Sequence, residues 1–263
     1  MKRHGFRLYR HYLSLSIRSS MQYKSSFWLT MLGQALTTIS TLLGVIFMFQ
    51  RFPVVKGFTL DDVILCAGIV QLQFALAEMW ARGFDRFSQI VRLGEYDRIL
   101  LRPRGKILQV FGSQFELSRI GRILQGVLML VYALVRIRIR WDFLRVLTLV
   151  NMIIGGTGVF TAICILRAAL CFFTLEGLEV MNIFFDGARE HGKYPLNIYG
   201  DKFLLFCTVA IPYALVQYYP LLYLLGRRTD WYLPFLPLLA LWFLIPCLLL
   251  FRVGVRHYQS SGS

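Results

Sequence analysis

Six stretches of the chain are apolar for long enough to cross a bilayer. Residues 27–50 carry no charge, and 63–81 carry only Glu78. Residues 117–135 hold Arg119 and Arg122 in their first two turns, while 146–166, 203–225 and 231–251 are free of charge. Twenty-one helical residues rise about 32 Å, against a hydrocarbon core of about 30 Å. None of the six alternates polar and apolar with a period of two, so they read as helices and not as barrel strands. The pattern predicts an all-α polytopic membrane protein, with residues 1–263 forming one transmembrane domain.

Two further stretches are amphipathic. In residues 5–24, Phe6, Leu8, Tyr9, Tyr12, Leu13, Leu15 and Ile17 share one side of a helix. Arg3, Arg7, Arg10, His11 and Arg18 share the other. Residues 1–26 are therefore expected to hold a helix lying in the interface; the plainer alternative is a basic tail that only orients the first span. In the loop 82–106, Phe84, Phe87, Ile90 and Val91 recur at helical spacing while Arg82, Asp85, Arg86, Gln89 and Arg92 face elsewhere. Gly94 can end that helix, and Pro103 disfavours helix at Arg102. A simple connector needs only a handful of residues. The loop is thus either a docking element for a cytoplasmic partner or a patch whose arginines meet anionic lipid headgroups.

Composition sharpens the class. The chain is 57% hydrophobic with 16% charged residues and a mean hydropathy of +0.57, where a soluble domain carries about 25% charged residues. A net charge of +15 would suit nucleic acid, but the basic residues cluster in the gaps between apolar runs, which is how charge orients a membrane protein. With the N-terminus inside, 21 of the 29 Lys and Arg fall in inner segments. Both termini are therefore expected in the cytoplasm. The basic stretch RIRIRWDFLR, Arg136–Arg145, falls outside, against the charge bias; it reads as a short interfacial strand or turn, or else the third or fourth span has other bounds. No cleavable signal peptide is evident, so the first span is expected to act as the insertion signal. Five scattered cysteines form no CxxC pair and read as buried small residues. The four histidines are isolated, and no metal site is expected.

The prolines break the later spans. Pro212 and Pro220 in IPYALVQYYP each remove a backbone donor, and Pro234, Pro237 and Pro246 do the same in the sixth span. Breaks of this kind suit a gate or vestibule lined by Pro212, Tyr213, Tyr218, Tyr219 and Pro220; they also arise as packing kinks. Between the fourth and fifth spans runs the most acidic part of the chain, read as a second inner loop and ending in YPLNIYG, residues 194–200. The charges at Glu78, Glu116, Arg119 and Arg122 read as a boundary cluster pairing with itself, or as an ion path. No GxxxxGK[ST], HExxH or GxSxG occurs, so the chain is expected to be no enzyme and to hold no cofactor.

GEYDRILLRP (94–103), FFTLEGLEVMN (172–182), YPLNIYG and IPYALVQYYP together resemble the membrane subunits of bacterial type-2 ABC exporters, in the uncharacterised-permease branch, over nearly the whole chain. The resemblance implies a permease in the bacterial cytoplasmic membrane. It would pair with a second permease subunit, identical or related, and with cytoplasmic ABC ATPase subunits that hold ATP and Mg²⁺. It also implies that Phe84–Leu93, with Phe84, Asp85, Phe87 and Ile90, is the coupling helix and that residues 5–24 are the connecting helix. The family's loop motif falls on Gly94, Glu95, Asp97, Arg98, Arg102 and Pro103. A secondary transporter or channel working without an ATPase is the alternative.

Overall fold

The computed structural model describes residues 22, 24–102, 105–174, 186–187 and 189–258. Residues 5–21 of the expected interfacial helix, residues 175–182 of the FFTLEGLEVMN motif and Pro103 lie outside them. Among the described residues the fold is helical, without strands; the one β-bridge joins Val55 to Phe58 in a tight turn. Five helical segments are long and apolar enough to cross a membrane: α1 (Lys24–Arg51), α2 (Leu60–Trp80), the segment Leu117–Arg136, α8 (Phe143–Leu170) and the segment Leu233–His257. A sixth candidate is a bent pair near the C-terminal end.

Helix α2 is the axis of the bundle. It is apolar on all sides and nearly every residue is buried, as expected for a helix enclosed by others. Its start is fixed by a reciprocal cap. The Asp62 N–H donates to Thr59 Oγ1 (3.4 Å), and the Thr59 N–H donates to Asp62 Oδ2 (3.0 Å). The same Asp62 oxygen accepts from Arg227 at 2.6 Å, and that guanidinium stacks 4.0 Å above the Phe58 ring. One side of α2 packs against α7 (Ile120–Arg136), which follows the 3₁₀ turn Leu117–Arg119. The crossing is made by Gly68 and Gly126. A Cβ on Gly68 would lie 2.9 Å from the Leu130 nitrogen, and one on Gly126 would lie 3.0 Å from the Leu72 nitrogen. Small residues let the two backbones touch. By contrast α1 is only 19% buried and turns Trp28, Leu29, Leu32 and Leu36 outward.

The RIRIRWDFLR stretch is neither strand nor turn. Arg136 closes α7, and Asp142 caps α8 by accepting from the Arg145 N–H at 2.8 Å. Between them Ile137 and Ile139 tuck against the core while Arg138 and Arg140 stay exposed. An extended connector alternates its side chains in this way.

One segment follows the pattern read in the sequence and one departs from it. The stretch 203–225, read as a span that its prolines kink or break, is broken. Helix α9 (Asp201–Val209) meets α10 (Tyr213–Val216) and α11 (Tyr218–Leu224) at 86°. Pro212 sits at the break, where it has no N–H to continue the ladder. Pro220 falls in the first turn of α11, where that loss costs nothing. The departure concerns residues 189–194, read as part of an inner loop. They lie beside the middle of α2. The Arg189 guanidinium covers the Phe74 ring at 5.1 Å, a Cβ on Gly192 would lie 3.2 Å from Val70, and the Cys66 thiol reaches the Gly192 carbonyl at 3.4 Å. Phe74, Val70 and Cys66 are successive turns of α2, so this segment climbs along it. Gln217 holds the climb in place by donating to the carbonyls of Gly192 and Tyr194. Arg189 and Lys193 therefore belong alongside the bundle and not to an inner loop.

The last span starts with the 3₁₀ turn Leu233–Phe235, passes through α12 (Leu236–Leu239) and the 3₁₀ turn Ala240–Phe243, and ends as α13 (Leu244–His257). Two buried clusters result. One surrounds the Leu60 half of α2, and the other surrounds the Trp80 half with α8 and α13. All five cysteines are buried and unbridged.

Candidate functional site: a clamped hairpin at the Trp80 end

After Trp80 the chain folds into four short helices: α3 (Arg82–Asp85), α4 (Phe87–Arg92), α5 (Glu95–Leu100) and α6 (Lys106–Ser113). Gly94 separates α4 from α5 with a left-handed φ of 67°, a conformation that costs a glycine little. Gly83 lets α3 meet α6: a Cβ there would fall 1.9 Å from the Val110 carbonyl oxygen.

The apolar side of this hairpin is turned into the protein. Phe84, Phe87 and Tyr96 are fully buried and Ile90 nearly so. The Phe87 ring meets Tyr96 at 5.0 Å, Phe172 at 5.2 Å and Phe251 at 5.4 Å, and Phe84 meets Phe251 at 5.4 Å. Edge-to-face pairs at such spacings add to burial. Tyr258 packs against Tyr96 at 5.0 Å, with Asp97 near its phenol. Burial, with the neighbouring Asp97 behind it, pushes the Tyr258 phenol up. Phe172 follows α8, and Phe251 and Tyr258 belong to the end of the last span. The aromatic cluster thus ties the hairpin to two spans at once.

The polar edge is tied by ions. Glu78 accepts from Arg122 at 2.7 Å and lies 3.4 Å from Arg119 and 4.0 Å from Arg82. Arg82 also pairs with Asp85, and with Glu116 at 2.5 Å. Asp85 in turn accepts from Arg167 at 2.6 Å. Glu116 lies 3.7 Å from Arg119 and 3.9 Å from Arg86. Three carboxylates and five arginines so connect α2, α3, the start of α7 and the end of α8. Glu78 and Asp85 are buried with only 7% and 9% of their side chains exposed, and a charge buried to that degree persists only when it is paired. Burial raises the Glu116 carboxyl, but Arg82, Arg119, Ser118 and Arg86 outweigh it and hold it below the ordinary range. The pairing read for Glu78, Glu116, Arg119 and Arg122 is what the geometry contains.

The residues nominated for coupling divide into two sets. Phe84, Asp85, Phe87 and Ile90 face the chain's own core or its ion network and are not offered to a partner. The physical reason is that amphipathic spacing specifies a buried side without saying what buries it. Glu95, Arg98 and Arg102 are exposed, and Asp97 is half-buried beside Tyr258. The same outer surface includes Arg86, Gln89, Arg92, Leu93 and Leu101, which were not nominated. Helical phase already placed the first three opposite the phenylalanines. Leu93 and Leu101 are 72% and 85% exposed, and nothing in their spacing marks them out.

Tyr213 is buried against Phe160 at 5.5 Å. Tyr218 and Tyr219 meet ring to ring at 5.3 Å, and the Tyr219 hydroxyl lies 3.4 Å from Thr208 Oγ1 across the bend. Pro220 is buried in α11 and Pro212 marks the break.

A family model described as ABC-2 family transporter protein matches residues 35–262. No curated protein and no solved structure matches the chain. The match begins within α1, takes in every later span and includes the hairpin between the second and third. The chain therefore belongs to the ABC-2 family of transporters and is an integral membrane subunit of an ABC transporter, a transport component that is not itself the ATPase.

Proposed function

We propose that this chain is the permease of an ATP-driven exporter in a bacterial cytoplasmic membrane, with both termini in the cytoplasm. A second permease subunit completes the substrate path, and separate cytoplasmic ATPase subunits bind ATP and Mg²⁺ and push on residues 82–102. The observation that carries this reading is the two-sided construction of the hairpin. Its inner side is fastened to α2, to Glu116 ahead of α7, to α8 and to the last span by aromatic contacts and ion pairs. Its outer side leaves Arg92, Leu93, Glu95, Arg98 and Leu101 exposed. A force on that outer side has no slack to take up before it reaches the spans. Arginine and carboxylate side chains on a partner's rim give charge-assisted bonds that fix its orientation.

The test is copurification followed by function. The tagged chain, expressed with its native partners and extracted in mild detergent, is expected to bring down a nucleotide-binding protein. The reconstituted complex is expected to hydrolyse ATP faster with the permease present than without it. A chain that transports in vesicles with no ATPase bound would instead establish a secondary carrier or channel.

A further inference from the structure

A cavity of about 180 Å³ lies between the climbing segment, α2, α8 and the bent pair. Its walls include Val70, Phe160, Phe203, Ile211 and Val216, and no Lys, Arg, Asp or Glu lines it among the described residues. Four polar side chains close on this largely apolar space: Gln73, His191, Tyr213 and Gln217. His191 is exposed, whereas Gln73, Tyr213 and Gln217 are 1%, 9% and 2% exposed. The amides cannot be turned around. Gln73 Nε2 donates to the Met152 carbonyl at 2.9 Å, and Gln217 Nε2 donates to two carbonyls, so an exchanged oxygen would face another oxygen. That leaves Gln73 Oε1, Gln217 Oε1 and the Tyr213 hydroxyl buried without a partner. Buried polar atoms are normally satisfied; the two amide oxygens ask for an occupant that brings donors, and the Tyr213 hydroxyl can donate or accept.

We infer that this cavity is a binding site for an uncharged amphiphile whose small apolar or aromatic body carries an N–H or O–H donor. The size fits, since a cavity of about 150 Å³ accommodates benzene. A carboxylate or phosphate would meet the two orphaned amide oxygens, with no Lys or Arg in the wall to balance it. The walls also offer a bare ammonium no counter-charge. Phe206, a further wall, is 42% exposed, so the cavity reaches the protein surface on that side and is filled laterally from the bilayer. The inference rests on the reading of the chain as a permease, and it names the class of molecule that permease accepts.

Indole and benzofuran separate donor from shape, because they differ in the ring N–H. Binding of each is measured by equilibrium dialysis on the full-length chain in nanodiscs, with empty nanodiscs as the blank. Indole is expected to bind about tenfold more tightly than benzofuran. Val216→Trp and Ile211→Trp, each filling the cavity from a different wall, are expected to abolish binding of both probes. Equal affinity for the two probes, uptake no greater than by empty nanodiscs, or full indole binding to either folded tryptophan variant would overturn the assignment and leave the cavity to solvent. The measurement involves neither nucleotide nor ATPase, so its failure is distinct from failure to copurify an ATPase.

Discussion

Asp85 is the junction at which the hairpin is held to α8, and removing its charge tests that tie. In Asp85→Asn the amide keeps the shape but neutralises a carboxylate with 9% side-chain exposure. Arg82 retains Glu116 at 2.5 Å and Glu78 at 4.0 Å. Arg167 loses its only ion pair among the described residues and is 19% exposed. Stranding one member of a buried pair costs roughly 3–5 kcal/mol, and the partial exposure of Arg167 places the expected loss near the lower bound. In Asp85→Asn/Arg167→Met neither charge remains to be stranded. The double variant should therefore lie within about 1 kcal/mol of the parent, with a coupling energy of about 2 kcal/mol between the sites. The assay is reversible denaturant unfolding of the chain in mixed micelles, scored as a double-mutant cycle. Permease-stimulated ATP hydrolysis is measured beside it. Asp85→Asn should reduce that stimulation severalfold even where the protein stays folded, because α3 then loses its ion pair to α8. Single effects that add to within about 0.5 kcal/mol would show that the two residues act independently, and the clamp would have no energetic basis.

Arg98→Glu reverses an exposed charge on the outer side of the hairpin. Stability should move by no more than about 0.5 kcal/mol, while permease-stimulated ATPase activity falls severalfold; unchanged stimulation would remove Arg98 from the partner surface. Gly83→Ala places a methyl against the Val110 carbonyl and should cost about 2 kcal/mol or more, seen as a lowered unfolding midpoint and faster proteolysis between α3 and α6. Glu116 gives a pH prediction with a definite sign. Its carboxyl is held below the ordinary value of 4.5, so its contribution is complete above that value and is lost as pH falls through the lowered one. The unfolding midpoint should decline below pH 4.5, and Glu116→Gln should flatten part of that decline.

The spans were legible because a continuous apolar run of bilayer length has few alternatives, and the boundary charges were legible because unpaired ions are intolerable there. What the residues could not convey was which partner each surface would meet. Phe84, Phe87 and Ile90 showed a helical face, but Phe172, Phe251 and Tyr258, which cover it, come from segments about 80 to 170 positions away. The climb of residues 189–194 beside α2 was hidden for a related reason. Arg189 and Lys193 look like loop residues until Phe74 and Glu190 are seen to satisfy them. Pro212 did signal a break, yet a missing N–H specifies where a helix stops and not the 86° through which it turns.

The touching backbones at Gly68 and Gly126 have a mechanical consequence. Helices α2 and α7 are pinned there, and pinned again where Glu78 grips Arg119 and Arg122. A pair of rods fastened at two levels can neither slide nor scissor, so these two helices travel as a single beam. Any opening that passes cargo has to occur along their flanks, where lightly seated α1 and the kinked segment around Pro212 are the parts with room to give.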